Sequence, residues 1–304
     1  MLEYLNARID QLARDHRSGA AEIVENIGNL LIDIAREGGQ HPDQCEQLLR
    51  RAIRRLAQGQ PSMAPVLNFL NLACLARDKA ESDWETFRGA MEELVRRREQ
   101  QFADMEARVK ELPRVNDTLM IYSNSSTVFQ IVSACRELGW PRRVITSEAR
   151  PVNEGLLMAH KLKAAGIPVT VYTDAALMSR IAEAGSVWVG GDAVSHQGLV
   201  NKVGSRALAM LSKVVGIPFI SLMSTNKLLS PDMLLFFRML PQNPREIAAD
   251  DADVLDVVNE YYEIIPLDLV TFIYTELGLS KPDDLVRQIT PEPVSPLMPK
   301  LAAS

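Results

Sequence analysis

From Met1 to about Leu112 the apolar residues recur at intervals of three and four: Leu5, Ile9 and Leu12, then Ile23, Ile27, Leu30, Leu31 and Ile34. This is the 3.6-residue period of amphipathic helices packed on one another. Glycine just past a helix end and proline in a first turn are the usual punctuation. Gly38-Gly39 therefore ends the second helix and Pro42-Asp43 opens the third, while Pro61 and Pro65 mark the next boundary. A long helix is predicted from about Asp83 to Leu112; its EELVRRREQQFADMEARVKEL run is charged on most faces and reads as solvated surface.

After Pro113 the pattern changes. DTLMIYS, RRVITSEA, IPVTVYT, SVWVGG and IPFISLM read as strands. Between them lie helical stretches: SSTVFQIVSACRELG, NEGLLMAHKLKAAG, an alanine-rich segment from Ala175, and Ser205 to Val215. Strands alternating with helices of ten to fifteen residues mean βαβ units and a parallel sheet with right-handed crossovers. The fold class is α/β, with a helical domain over 1–112 and a doubly wound ligand-binding domain over 113–304. The tail from Lys281 is rich in proline and is expected to wrap the surface or fray.

The polar residues of the second part collect at the strand ends. The first strand runs into Tyr122-Ser123-Asn124-Ser125-Ser126, the second into Ser147-Glu148-Ala149-Arg150-Pro151, and the fourth into Gly190-Gly191-Asp192. Parallel strands put all three clusters on one edge, the edge where ligands bind in open α/β sheets. The hydroxyls and N–H groups of Ser123 to Ser126, the planar fork of Arg150 and the point charge of Lys202 suit an anion. Residues 192–204, with His196, Gln197, Asn201 and Lys202 set among glycines, read as a polar loop able to close over it. Each residue also has an ordinary reading. The serines could cap a helix, Arg150 could pair with Glu148 or Glu154, Lys202 could be a surface lysine, and Asp192 could be a turn residue. Two helix starts in the first part, around Ser18-Gly19 with Arg17 beside them and at Ser62, could likewise be caps or anion sites.

Composition narrows the classes. The 304 residues, 47% of them hydrophobic, can build two cores. A formal charge of −6 supplies no global positive field for nucleic acid, so no nucleic-acid partner is expected. Cys45, Cys74 and Cys135 are far apart, with no CxxC pair and no histidine at ligand spacing, which points to a reducing compartment and no structural metal. There is no basic-then-apolar leader and no run of eighteen apolar residues, so a cytoplasmic protein without a membrane partner is expected. Neither a Walker A sequence nor a GxGxxG follows the first strand, and no cofactor is expected.

The segments SGAAEI, PSMAPVLN, SNSSTV, TSEARPVNEG, GGDAVSHQGLVNKVGSRALAMLSKVVGIPF and YYEIIPLDLVTFIYTELG are similar to a known family. They resemble the alpha, beta and delta regulatory subunits of translation initiation factor 2B and their enzyme relatives, the methylthioribose-1-phosphate and ribose-1,5-bisphosphate isomerases. The resemblance runs from about Asp15 to Leu279. It implies a helical N-terminal domain with a Rossmann-like C-terminal domain, and a homodimer formed through the latter. Carried over by position, it puts the isomerases' catalytic aspartate on Asp192 and their ligand-facing Asn-Lys pair on Asn201 and Lys202. Arg150 also matches, and Gly19 and Ala20, with Asn124 and Ser125, fall at ligand-binding positions. The catalytic cysteine, however, falls on Ser123, and two phosphate-side arginines fall on Ser18 and Gln60.

Moving a carbonyl between two sugar carbons needs proton acceptors and donors on opposite sides of the carbons. A serine hydroxyl ionises far above the cysteine reference of about 8.5 and is a poor proton shuttle. Each lost arginine removes a charge-assisted contact worth about 1.5–3 kcal/mol. The sequence therefore favours a protein that binds a phosphorylated sugar or nucleotide without turnover. An aldose-1-phosphate isomerase using Asp192 is the alternative, and a scaffold using the charged helix is a third reading.

Overall fold

A computed structural model describes residues 1–15, 19–252, 254–288 and 292–298. They fall into two compact units that are interleaved along the chain. The first holds residues up to Gln101, the segment Asn226–Met239 and the described tail 292–298. The second holds Phe102–Thr225 and 240–288.

The first unit is built on α1 (Leu2–Ala13), α2 (Ala20–Gly38), α3 (Pro42–Gly59), α4 (Ala64–Ala80) and most of α5 (Trp84–Ala107). The residues at three- and four-residue spacing are its core: Leu5, Ile9, Ile23, Ile27, Leu30, Leu31 and Ile34 are fully buried. Pro42 is the first residue of α3, its missing N–H costing nothing in a first turn. Ser62, expected as a cap, is not one. Its hydroxyl donates instead to the Arg238 carbonyl at 2.6 Å, and the residue before α4 is Met63. Asn68 donates to the carbonyls of Asn226 and Leu228, each at 2.7 Å. In the tail, the Ser295 amide and hydroxyl reach Asn71 and Asp78, so these described residues are tied down rather than frayed.

The second unit carries β1 (Thr118–Ile121), α6 (Ser126–Glu137), β2 (Arg143–Ser147), α7 (Glu154–Ala164), β3 (Val169–Tyr172), α8 (Asp174–Ser179) and β4 (Ser186–Val189). It continues through β5 (Ala193–Ser195), β6 (Gly198–Lys202), α9 (Ser205–Val215), β7 (Phe219–Leu222), β8 (Tyr262–Ile265), β9 (Phe272–Thr275), β10 (Gly278–Ser280) and α10 (Pro282–Gln288). Seven strands form one sheet in the order β10-β9-β7-β4-β1-β2-β3. Every neighbouring pair in it is parallel except β9 with β10. The central strands β1, β4 and β7 are buried at every position, which is why they read as mostly apolar segments without alternation. At the sheet's edge, β3 is the exposed one. Trp188 of β4 is fully buried and packs its ring 5.1 Å from that of Trp140. The Tyr274 hydroxyl donates to the Met105 carbonyl.

The stretch 192–204 is not a loop. Most of it is the antiparallel hairpin β5–β6, which pairs with β8 in a separate three-stranded sheet. The hairpin turns at His196-Gln197, and Gly198 there has φ +142. The aromatic run Tyr261-Tyr262 leads into strand β8, and the chain reaches β9 after one helical turn at Leu267–Leu269.

Candidate functional site

The seven-stranded sheet grows outward from β1 in one direction through β2 and β3, and in the other through β4, β7 and β9. Strand order therefore reverses between β1 and β4. The crevice beyond the carboxyl ends of two such strands is the binding position of open α/β sheets, because their following segments splay to opposite faces.

Three of the predicted residues sit at the end of β1. Ser123 has φ +67, a left-handed conformation in the tight passage from strand to helix, and is buried. Asn124 is exposed and its Oδ1 accepts from Lys161 Nζ at 3.4 Å. Ser125 is the cap of α6, its Oγ accepting from the Val128 amide at 3.3 Å. The turn after β4 comes close to this cap: a Cβ built on Gly190 would lie 2.9 Å from Ser125 Oγ. The Ser221 hydroxyl holds the Gly190 carbonyl at 2.8 Å. Two residues on, the half-buried Asp192 enters the hairpin, its amide donating to the Val200 carbonyl at 2.8 Å.

The hairpin delivers Asn201 and Lys202, both buried. Asn201 donates to the Ser205 hydroxyl at 2.9 Å, inside the unit. The Lys202 ammonium lies 4.6 Å from the centre of the Tyr261 ring and donates to Glu154 Oε2 at 3.2 Å. The other oxygen of the same carboxylate accepts from Ser123 Oγ at 2.6 Å. Glu154, the first residue of α7, thus ties the end of β1 to the end of β6. Its side chain keeps 23% of its exposure while that of Lys202 keeps 4%. The sequence offered Glu154 only as a partner for Arg150, not as a site residue. A glutamate in a first turn is ordinarily a partner of the helix dipole, and only its place in the Glu-x-Arg-Pro-x-x-Glu-Gly run could have marked it.

Arg150 is exposed and makes no ion pair among the described residues; neither Glu148 nor Glu154 takes it. Its backbone amide and that of Ala149, which has φ +57, donate to the Asp174 carboxylate at 2.9 and 3.0 Å. Glu263 Oε1 accepts from the amides of Gly204 and Arg206 at the start of α9, at 2.6 and 2.8 Å. The phenols of this region respond to so much negative charge. Burial pushes Tyr262 up, with the Asp192 and Glu154 carboxylates adding to it. Tyr122 is raised by burial and by Asp174, Glu154 and Glu263.

Gly19 and Ala20 belong to the helical unit, at the start of α2; Gly19 is exposed and in extended conformation. His16, Arg17 and Ser18 lie outside the described residues. Gln60, where the resemblance implies an arginine in the isomerases, is buried and donates to the carbonyls of Leu12 and Asp15 at 3.0 and 2.7 Å. Among the described residues no group of three histidines, cysteines or carboxylates could hold a metal ion. No described helix is long and apolar enough to cross a membrane.

The profile of the Initiation factor 2 subunit family matches residues 16–282. The chain is 28% identical over 278 residues to the ribose 1,5-bisphosphate isomerase of Archaeoglobus fulgidus, covering 87% of this chain and 86% of that one. It is 27% identical over 281 residues to a putative translation initiation factor eIF-2B subunit 2-like protein of Pyrococcus horikoshii, covering 90% and 94%. The crystal structure of the translation initiation factor eIF-2B of Pyrococcus horikoshii OT3 shares the fold with a TM-score of 0.77 at 23% identity, over 93% of this chain and 99% of that one. With the reversal of strand order at β1 and β4 and a family match over most of its length, the chain belongs to the Initiation factor 2 subunit family.

Proposed function

We propose that this protein binds a phosphorylated sugar or nucleotide at the carboxyl edge of the seven-stranded sheet and does not turn it over. Ser123, Asn124, Ser125, Arg150, Asp192, Asn201 and Lys202 are the residues assigned to it. The observation that carries the reading is the state of Ser123. At the position where the resembling isomerases hold a thiol, it is a hydroxyl already donating to Glu154 at 2.6 Å. Such a group orients a ligand by hydrogen bonding and is a weak acid or base near neutral pH. For the anionic end, the first turn of α6 is the favoured place. It contains no acidic residue, whereas α7 and α8 begin with Glu154 and Asp174 and the start of α9 is capped by Glu263. Free amides and a positive dipole end remain there for a phosphate.

A second reading, an aldose-phosphate to ketose-phosphate isomerase, is favoured by the retained Asp192 and by the likeness to proteins named ribose 1,5-bisphosphate isomerase. One pair of measurements separates them. Calorimetry with pentose phosphates, hexose phosphates and nucleoside monophosphates is expected to show saturable heat with at least one class. Proton NMR of ribose 1,5-bisphosphate incubated with the protein is expected to show no ketose. Ketose formation would replace the first reading by the second, and silence in both experiments would remove both.

A further inference from the structure

The carboxylate of Glu154 occupies the place that an anionic ligand would take. Its two oxygens accept from the Ser123 hydroxyl at 2.6 Å and the Lys202 ammonium at 3.2 Å, the two donors that face each other across the ends of β1 and β6. Lys202 is 3% exposed, so its charge is desolvated and its partner correspondingly firm. The ring of Tyr261 covers the ammonium from another side, at 4.6 Å. A phosphate brought to this pair would meet a cation already neutralised and a carboxylate within ion-pair distance of it, and like charges so close repel strongly in a partly dry site. A sugar hydroxyl meets no such barrier. Ser123, whose proton lies toward Glu154, still offers lone pairs to an O–H, and Glu154 itself can accept a further one.

We infer that Glu154 is a specificity-determining residue: it reserves the Ser123–Lys202 end of the site for uncharged hydroxyl groups of the ligand and turns the phosphate away from it. The inference rests on the binding reading given above. It gives the ligand a direction, hydroxyls toward β6 and the anion elsewhere on the edge. Lys202 thereby changes from a phosphate holder to the counter-ion of an internal carboxylate.

The test uses the full chain and two probes, inorganic phosphate and ribose 5-phosphate, titrated by calorimetry. Glu154→Gln keeps the shape and removes the charge, its amide oxygen able to accept from Lys202 while its NH2 can only donate to the Ser123 oxygen, and it is expected to raise affinity for inorganic phosphate at least about tenfold by freeing the lysine. Adding Lys202→Gln to that variant is expected to abolish the gain. Lys202→Gln alone is expected to weaken ribose 5-phosphate and, by unmasking the Glu154 charge, to lower inorganic phosphate affinity by less than tenfold. The inference is overturned if folded Glu154→Gln gains no phosphate affinity, or if Lys202→Gln alone loses tenfold or more for inorganic phosphate. Should Glu154→Gln fail to fold, the single lysine variant still decides. If the unmodified protein binds no sugar phosphate or nucleotide in the panel above, the binding reading fails on its own, while the gain or its absence in Glu154→Gln still reports on the carboxylate.

Discussion

At Gln60 a single side chain carries a structural duty where the resemblance implied a charge. Buried at 3% exposure, its amide nitrogen bridges the carbonyls of Leu12 and Asp15 at the end of α1. Leu12 belongs to the last turn of α1, where its carbonyl also accepts from the Asp15 amide at 3.3 Å, and Asp15 follows the helix. Replacing Gln60 with leucine, similar in size, removes these two buried side-chain hydrogen bonds and is expected to cost about 1–3 kcal/mol. The measurement is the urea midpoint, which should fall with an unchanged slope. An unchanged midpoint would mean that water satisfies the carbonyls equally well. The same residue explains why sequence alone could list Gln60 only as a missing arginine. Nothing in its neighbours announces that the amide turns inward. Glu154 illustrates the converse, a side chain whose importance depends on residues 31 positions before and 48 after it.

Among the elements, legibility followed length and burial. The strands β1, β2, β4 and β7 and the helices α6, α7 and α9 were all readable, because each is a short segment rich in apolar and β-branched or aromatic residues or a helical stripe, set off by turn residues. The hairpin was not. β5 has three residues, β6 is buried on both sides although it ends in Asn201 and Lys202, and the polar His196-Gln197 turn makes the whole stretch resemble a loop. Its partner β8 comes some sixty residues later, and pairing at that distance leaves no local mark. The turn depends on Gly198, whose φ of +142 few other residues adopt and where a Cβ would lie 2.6 Å from Ile264 Cγ2 and 2.7 Å from the Ile265 carbonyl. Gly198→Val is therefore expected to loosen the hairpin from β8. Hydrogen exchange should report it as faster exchange at the amides of Asp192 and Val203, which donate to Val200 and Tyr261. Equal protection in the variant would show that the glycine is dispensable.

Over the whole molecule, each unit contains a buried thiol that reports on its integrity. Burial pushes Cys74 of the helical unit up to about 12, helped by Asp78, and Cys135 of the sheet unit up to about 11. Thiolate is the reactive form, so neither should be alkylated by iodoacetamide at pH 8 in the folded protein, and both should react once unfolded. The unfolded thiols ionise near 9.0, so the unfolded chain loses these protons first as pH rises. Their contribution to stability is complete below that value and is lost progressively between about 9 and 12. Peptide mass analysis after a short alkylation pulse at increasing denaturant should read the two units separately. Modification of either cysteine in the absence of denaturant would contradict the packing described.

The interleaving of the two units has a consequence for how the chain is made. All five N-terminal helices are translated by residue 107, yet the carbonyls of Asn226 and Leu228 that receive the two Asn68 donations are synthesised more than a hundred residues later. Vectorial synthesis normally lets a leading portion finish before the rest follows. Here that portion leaves the ribosome with an open seam on α4, and the seam closes only after the strands through β7 have emerged.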